Sequence, residues 1–264
     1  ESGDDTLILY SDVSFARDIV RSAALIMALV FSGIAAVLYL CGRSTIRLLD
    51  RKDQSMRDFF ANASHELKTP LMTMQSYADG LERGLVSQEK ALSVIDREGT
   101  RMAHLINGIL VFSKLDSGIL QPARSDCDLR EILYDALQSV ETAASQRGLK
   151  LTPALNEPLH LYCDEALLYS VFSNILSNSL RYAAQEIRLS ASQDEEAFIL
   201  TFANDGPPLS SDECTHIFER FYKGAGGQTG IGLALSLEYV RLHGGTITAY
   251  SKDGWTYFTV RLPR

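Results

Sequence analysis

Residues 22–42 read Ser-Ala-Ala-Leu-Ile-Met-Ala-Leu-Val-Phe-Ser-Gly-Ile-Ala-Ala-Val-Leu-Tyr-Leu-Cys-Gly, without one charged side chain. An apolar run of roughly 20 residues is what a helix needs to cross a hydrocarbon core of about 30 Å. A helix also lets a spanning segment pair all of its own backbone polar groups. The run is too long and too internal for a signal-peptide core, and no small-residue cleavage pattern follows it. The alternative is a helix buried within a soluble domain. The flanks set an orientation: Arg43, Arg47, Arg51 and Lys52 follow the run, whereas Asp4, Asp5, Asp12 and Asp18 precede it with Arg17 and Arg21. Excess Lys and Arg mark the cytoplasmic side, which assigns the C-terminal portion to the cytoplasm. Before the span, Thr6-Leu7-Ile8-Leu9-Tyr10-Ser11-Asp12 reads as the last strand of something larger.

With 264 residues the chain holds one large domain or two modest ones. Aliphatic content is high and the charged fraction, 22%, is ordinary, so the bulk folds rather than staying disordered. A net charge of -8 argues against nucleic-acid binding, which calls for a basic face. Cys41, Cys127, Cys163 and Cys214 are far apart, with no Cys-x-x-Cys pair or nearby histidine cluster. Neither a zinc site nor a disulfide framework is indicated, and the cysteines read as free thiols in a reducing compartment.

Residues 44–56 contain no Gly or Pro and suit a continuous helix leading from the membrane. It delivers the chain to Phe59-Phe60-Ala61-Asn62-Ala63-Ser64-His65-Glu66-Leu67-Lys68-Thr69-Pro70. An imidazole of ordinary pKa near ~6.5 is largely neutral at cytosolic pH and is a competent nitrogen nucleophile. Glu66 beside it can orient the ring, take its second proton and stabilise the cation that forms. Thr69 follows His65 by four positions, on the same helical face. Pro70 cannot donate to the carbonyl of Glu66, which frees an acceptor and favours a bend. A lone helical histidine is more often a plain surface or core residue; the whole string is what singles this one out.

After Pro70, Leu71, Met74, Tyr77, Ala78 and Leu81 form an apolar stripe at helical spacing. Gly84 ends that helix and Ser87 caps the next, which runs from about Gln88 to Asp116 with Leu92, Ile95, Met102, Leu105, Ile106, Ile109 and Phe112 on one side. Such a hairpin cannot bury both faces alone, and pairing of two hairpins gives a four-helix bundle. Packing within one chain satisfies the stripe equally well.

From Cys127 the pattern alternates. Helices are expected at 129–146 and 165–182; strands at 150–152, 159–162, 186–192, 197–203, 246–250 and 256–262. This is a layered α/β sandwich on a mixed, largely antiparallel sheet. Within it, Asn174-Ile175-Leu176-Ser177-Asn178-Ser179-Leu180-Arg181-Tyr182 places two amides on one helical face with Arg181 further along the ridge. Asn is a poor helix former, so two of them mid-helix need a reason. Amide oxygens suit Mg²⁺, which keeps several waters and takes phosphate oxygens, and Arg181 can neutralise phosphate charge. Exposed helical Asn is the bland reading. Ala203-Asn204-Asp205-Gly206-Pro207-Pro208 follows a strand and by itself is a turn. Gly224-Ala225-Gly226-Gly227-Gln228-Thr229-Gly230-Ile231-Gly232-Leu233 opens a helix, and reads either as a linker or as a phosphate cradle at a helix N-terminus. His243 follows a helix and precedes a turn, and reads as structural.

Taken in order over residues 55–264, these strings resemble the bacterial membrane sensor histidine kinases of two-component systems. The His65 string is similar to their phosphoacceptor box. Residues 174–182 resemble the N box of the GHKL ATPases, Ile217-Phe218-Glu219-Arg220-Phe221-Tyr222-Lys223 the F box, and Gly230-x-Gly232-Leu233 the second glycine box. The resemblance implies a multidomain fold: a transmembrane helix, an all-α hairpin forming a dimeric four-helix bundle, and an α/β two-layer sandwich of the GHKL ATP-binding type. The divisions are residues 1–21 (end of an extracytoplasmic sensor region whose remainder lies upstream), 22–42 (span), 43–58 (juxtamembrane helix, without room for a HAMP relay and therefore coupling directly), 59–118 (dimerisation and phosphotransfer) and 125–264 (ATP binding).

The resemblance also implies the chemistry. ATP and Mg²⁺ would bind through Asn174, Asn178, Arg181, Tyr182, Asn204, Asp205, Gly206, Arg220, Lys223, Gly230, Gly232 and Leu233, with Asn174 and Asn178 at the metal. His65 would be phosphorylated, with Glu66 and Thr69 catalytic beside it, and the group would pass to an aspartate of a cognate response regulator. The His-Glu-x-x-Thr pattern further implies a regulator phosphatase, Thr69 positioning water. The implied protein is a homodimer in a lipid bilayer, the bacterial inner membrane. Three positions depart from the family pattern: Asn204 stands for a carboxylate that reads adenine, and Pro208 and Gln228 stand for glycines. They motivate a rival, a non-catalytic nucleotide-binding membrane scaffold. A third reading, an ATP-driven clamp of the same wider fold, would need neither the His65 box nor the span.

Overall fold

The computed structural model describes residues 14–155, 158–224, 227 and 229–264. The strand expected near Thr6, and Gln228, lie outside the described residues. By internal contacts the chain forms two units, Glu1–Asp58 and Phe59–Arg264. Helix α1 is assigned over Ser14–Glu82. In the first unit its segment Arg17–Arg43 is, by length and composition, able to cross a membrane, and none of its most apolar stretch is buried; Leu29 is 72% exposed.

In the second unit α1 runs through Pro70 to Glu82 and turns back at Gly84, whose φ of 67° is the left-handed geometry that glycine adopts without strain. Helix α2 (Gln88–Asp116) begins at Ser87, whose hydroxyl accepts from the Lys90 N–H. Phe59 and Phe112 pack edge to face at 5.8 Å, both buried. Of the two predicted stripes, Leu105 and Phe112 are buried, while Leu71, Leu92 and Ile106 remain exposed in the single chain.

The remaining elements are β1 (Ser125–Asp128), α3 (Leu129–Gln146), β2 (Lys150–Ala154), β3 (His160–Cys163), α4 (Glu165–Tyr182), β4 (Glu186–Gln193), β5 (Ala197–Asn204), α5 (Ser211–His216), α6 (Gly232–Leu242), β6 (Thr246–Lys252) and β7 (Trp255–Pro263). Five strands form one sheet in the order β2-β4-β5-β7-β6, parallel at β2-β4 and antiparallel elsewhere. The register Leu189↔Phe202↔Phe258 sets those side chains in one row, all buried. Phe172 of α4 meets Phe202 at 5.8 Å, closing the two-layer core. Period-two alternation therefore fixes which face each strand buries.

Two elements were not expected from sequence. Strand β1 has the composition Ser-Asp-Cys-Asp, poor in strand formers, and forms by pairing antiparallel with β3 as a separate two-stranded sheet. Helix α5 is six residues long, too short for periodicity to register, and rests on a reciprocal cap between Ser210 and Glu213. The chain entering this half is tied down at once. The Ala123 N–H donates to Asp164 Oδ2 at 2.7 Å, and Arg124 donates to the Leu242 carbonyl. Asp164 also caps α4. His243 is buried and structural: the Asp164 N–H donates to its Nε2 at 3.0 Å, so Nδ1–H donates to the Tyr239 carbonyl at 2.7 Å. Cys127 and Cys163 are buried in the small sheet; burial, with Cys127 beside it, pushes the Cys163 thiol up to about 12.

Candidate functional site

The face of α4 opposite the core is polar. Asn174, Asn178, Arg181 and Tyr182 all line a cavity of about 630 Å³, while Val171, Phe172, Ile175 and Leu176 are buried behind them. The two amides are not equivalent. Asn174 Nδ2 donates to the Gly232 carbonyl at 3.1 Å and to Ser236 Oγ at 3.3 Å. A Cβ on Gly232 would lie 3.3 Å from Asn174 Oδ1, so the Asn174 side chain packs α4 against α6. Asn178, one turn on, is half-buried on the cavity wall. A single amide oxygen suits Mg²⁺ that completes its shell with phosphate and water. Among the described residues no cluster of three or more His, Cys, Asp or Glu could hold a metal ion. The amide oxygens of Asn174 and Asn178 on this wall are the donors that a Mg²⁺ arriving with nucleotide would meet.

Asn204 ends β5 facing inward. It lines the cavity at 2% exposure, and its Oδ1 accepts the Gly206 N–H at 3.2 Å. Pro208 lines the cavity too. Asp205 and Gly206 do not. Asp205 accepts from the N–H groups of Ala184, Gln185 and Glu186 at 2.9–3.1 Å. Burial works to raise its carboxyl, but those hydrogen bonds prevail and hold it below the ordinary carboxylate value. Gly206 is glycine for packing, since a Cβ there would lie 2.4 Å from the Tyr182 carbonyl oxygen.

The glycine segment completes the wall. Gly230 has φ 65°, and a Cβ on it would lie 2.5 Å from the Phe221 carbonyl carbon. The Phe221 N–H donates to the Gly230 carbonyl at 2.8 Å, and Phe221 itself has φ 64°. Gly230, Gly232 and Leu233 open α6 onto the cavity without a side-chain cap, leaving its first N–H groups and its dipole for an anion. Tyr239 lies at the back, its phenol raised by burial and by the Asp164 charge.

A second cavity, about 200 Å³, is lined by Asn62, His65, Glu66, Arg220 and Tyr222 among others. His65 and Thr69 are exposed, the Thr69 hydroxyl donating to the His65 carbonyl at 3.4 Å. Glu66 is half-buried and forms ion pairs with Lys223 and, at 3.7 Å, with Arg101. Tyr222 lines both cavities.

Arg220 and Lys223 therefore lie against the helical hairpin. Arg220 grips Asp116 with two bonds of 2.8 and 2.9 Å, its guanidinium 4.2 Å over the Phe112 ring. Phe221 packs on Phe59 at 5.4 Å. Lys223 lines the large cavity while paired with Glu66; Arg220 lines the small one. Sequence reasoning missed the contribution of α2, whose Arg101, His104 and Asn107 also wall the large cavity. One signal was present: Gly108 stands mid-helix, and a Cβ there would lie 2.5 Å from Ile231 Cγ2.

Residues 55–118 match the family model of the His Kinase A (phospho-acceptor) domain, which takes in His65. Residues 163–264 match that of the histidine kinase-, DNA gyrase B- and HSP90-like ATPases, which takes in the large cavity's α4, β5 and α6. The chain belongs to the histidine kinases. Among curated relatives, this histidine kinase chain is 34% identical over 226 residues to the signal transduction histidine-protein kinase BaeS of Escherichia coli, covering 81% of the chain and 48% of BaeS. It spans about half the length or less of the curated relatives it matches. The fold is shared with the Acinetobacter baumannii histidine kinase AdeS (TM-score 0.66, 22% identity, 75% of this chain and 97% of AdeS). It is shared also with the histidine kinase ThkA, solved with the response regulator protein TrrA (TM-score 0.65, 16% identity, 78% and 61% covered).

Proposed function

We propose that this chain is a membrane-anchored sensor histidine kinase that uses Mg-ATP to phosphorylate His65 and passes the phosphoryl group to an aspartate of a response regulator. The observation that carries it is the shared wall: the cavity of α4 and α6 and the cavity of His65 meet at Tyr222 within one unit.

ATP fits the large cavity by chemistry. Asn204 accepts from the adenine amino group, while the open N-terminus of α6, Arg181 and Lys223 receive the phosphates. Asn178 and Asn174 would hold Mg²⁺, which when bound would spread the charge of the transferred group. Neutral His65 attacks the γ-phosphorus in line, the N–P bond forming as the bond to the β,γ-bridging oxygen breaks and ADP leaves, and Glu66 takes the proton that the other ring nitrogen releases. Thr69 positions water for the reverse task, dephosphorylation of the regulator. The exposed Leu71, Leu92 and Ile106 support a homodimer, since two hairpins bury together what one leaves open. The Arg17–Arg43 segment supports a bacterial inner-membrane span with the kinase portion in the cytoplasm, and ThkA in complex with TrrA supports a regulator as partner. No observation favours the non-catalytic scaffold.

The test supplies γ-labelled ATP and Mg²⁺ to the purified chain. The expected product is acid-labile, alkali-stable label that is absent from His65→Gln. A chain that holds ATP yet never labels His65, even with a competent regulator present, overturns the kinase reading.

A further inference from the structure

Two cations of the nucleotide cavity are bound to the neighbour of the phosphoacceptor. Arg101 of α2 and Lys223 before the glycine segment both line the 630 Å³ cavity, and both pair with Glu66. The pairs are sheltered: side-chain exposure is 26% for Arg101, 26% for Lys223 and 17% for Glu66. Arg101 is further held by Glu98 at 3.5 Å, one turn away and 9% exposed. Glu66 meanwhile shares the small cavity with His65. One carboxylate thus holds two cations that a polyphosphate in the adjoining cavity would also attract.

We propose that Arg101 and Lys223 are exchanged between Glu66 and the terminal phosphates of the nucleotide. Arg101 is accordingly a phosphate-binding residue that the helical hairpin lends to the catalytic half. A triphosphate carries more charge than one carboxylate and presents several oxygens to a guanidinium fork, so it outcompetes Glu66 at close range. Its arrival draws both cations off Glu66 and leaves that carboxylate to the His65 ring. Without a γ-phosphate the pull is weaker and Glu66 keeps its partners. Nucleotide occupancy and readiness of the phosphoacceptor are then one electrostatic event. This rests on the kinase reading, and deepens it by placing the competition for charge at Glu66.

The test measures equilibrium binding of the β,γ-imido analogue of ATP and of ADP to the full chain with Mg²⁺, by calorimetry, without phosphoryl transfer. Glu66→Gln keeps the shape of the side chain and removes the competing charge, so it is expected to tighten the imido analogue about fivefold and ADP less. Arg101→Gln weakens the imido analogue more than ADP, and Arg101→Lys restores part of the loss. In an Arg101→Gln, Lys223→Gln background the tightening by Glu66→Gln disappears, because its cause is gone. Affinity unchanged or weakened in Glu66→Gln, equal changes for the two nucleotides, or tightening that survives in the doubly substituted background each overturns the exchange. Label on His65 is read separately, so a failed exchange leaves the kinase reading standing, and a chain that binds neither nucleotide sinks both.

Discussion

Gly108→Ala separates the stability of α2 from the seating of the catalytic half upon it. In isolation alanine favours the helix interior over glycine by about 0.5–1 kcal/mol, so α2 gains. The added Cβ, however, would stand 2.5 Å from Ile231 Cγ2, where carbon contacts settle at roughly 3.5–4.0 Å. Ile231 is 3% exposed and β-branched, so burial and a stiff χ1 leave it little room to retreat. Overpacking of this kind costs about 1–3 kcal/mol, which opens the α2–α6 contact roughly 5- to 150-fold more often. Hydrogen exchange read by mass spectrometry sees both effects at once. Amides of residues 229–235 should exchange faster while those of residues 100–112 exchange more slowly. Exchange at 229–235 that stays at the parent rate would refute the reasoning, since the contact would then not constrain the glycine segment. Acceleration in both segments would also refute it, because α2 would have lost rather than gained.

Gly230→Ala forces a left-handed residue with a Cβ 2.6 Å from the Tyr222 carbonyl oxygen, a strain of about 1–2 kcal/mol before the clash is counted. Nucleotide affinity should fall by at least about tenfold in a fluorescent-nucleotide titration, and parent-like binding would show that this turn does not shape the cavity. Thr69→Ala should abolish dephosphorylation of a phosphorylated regulator while His65 still labels; joint loss of both activities defeats the assignment. Asp205 has its folded carboxyl below the ordinary 3.8, so the stability it contributes is fully present above that value and is lost as pH falls through the folded value. Asp205→Asn should therefore melt below the parent at pH 7, with the gap closing as pH is lowered past 3.8; a gap independent of pH would refute the carboxylate's role.

What was legible in the chain is what is encoded locally. Helices α2, α3 and α4 begin and end where Ser87, Asp128 and Asp164 cap them and where periodicity stops, so their bounds follow from a few neighbouring residues. The His65 string and the amide ridge of α4 are likewise continuous stretches. The rest depends on which surfaces meet. Nothing in the spacing of Asn174 and Asn178 tells that the Asn174 Nδ2 donates to Gly232 and Ser236 while both residues line the cavity. Asp205 sits beside Asn204 in sequence but turns to the backbone of residues 184–186, a partner set by the β4–β5 register. Arg220 and Lys223 find Asp116 and Glu66 more than a hundred residues earlier. The Ser210–Glu213 box was readable and would have revealed α5.

Tyr222, the residue bordering both chambers, has a consequence for timing. Under the proposed reading, donor and acceptor occupy separate rooms with one door frame in common. A triphosphate bound in one chamber would then reach the ring in the other only past the Tyr222 border. In that reading a change at this border alone would alter the rate of transfer, with every catalytic group left in place.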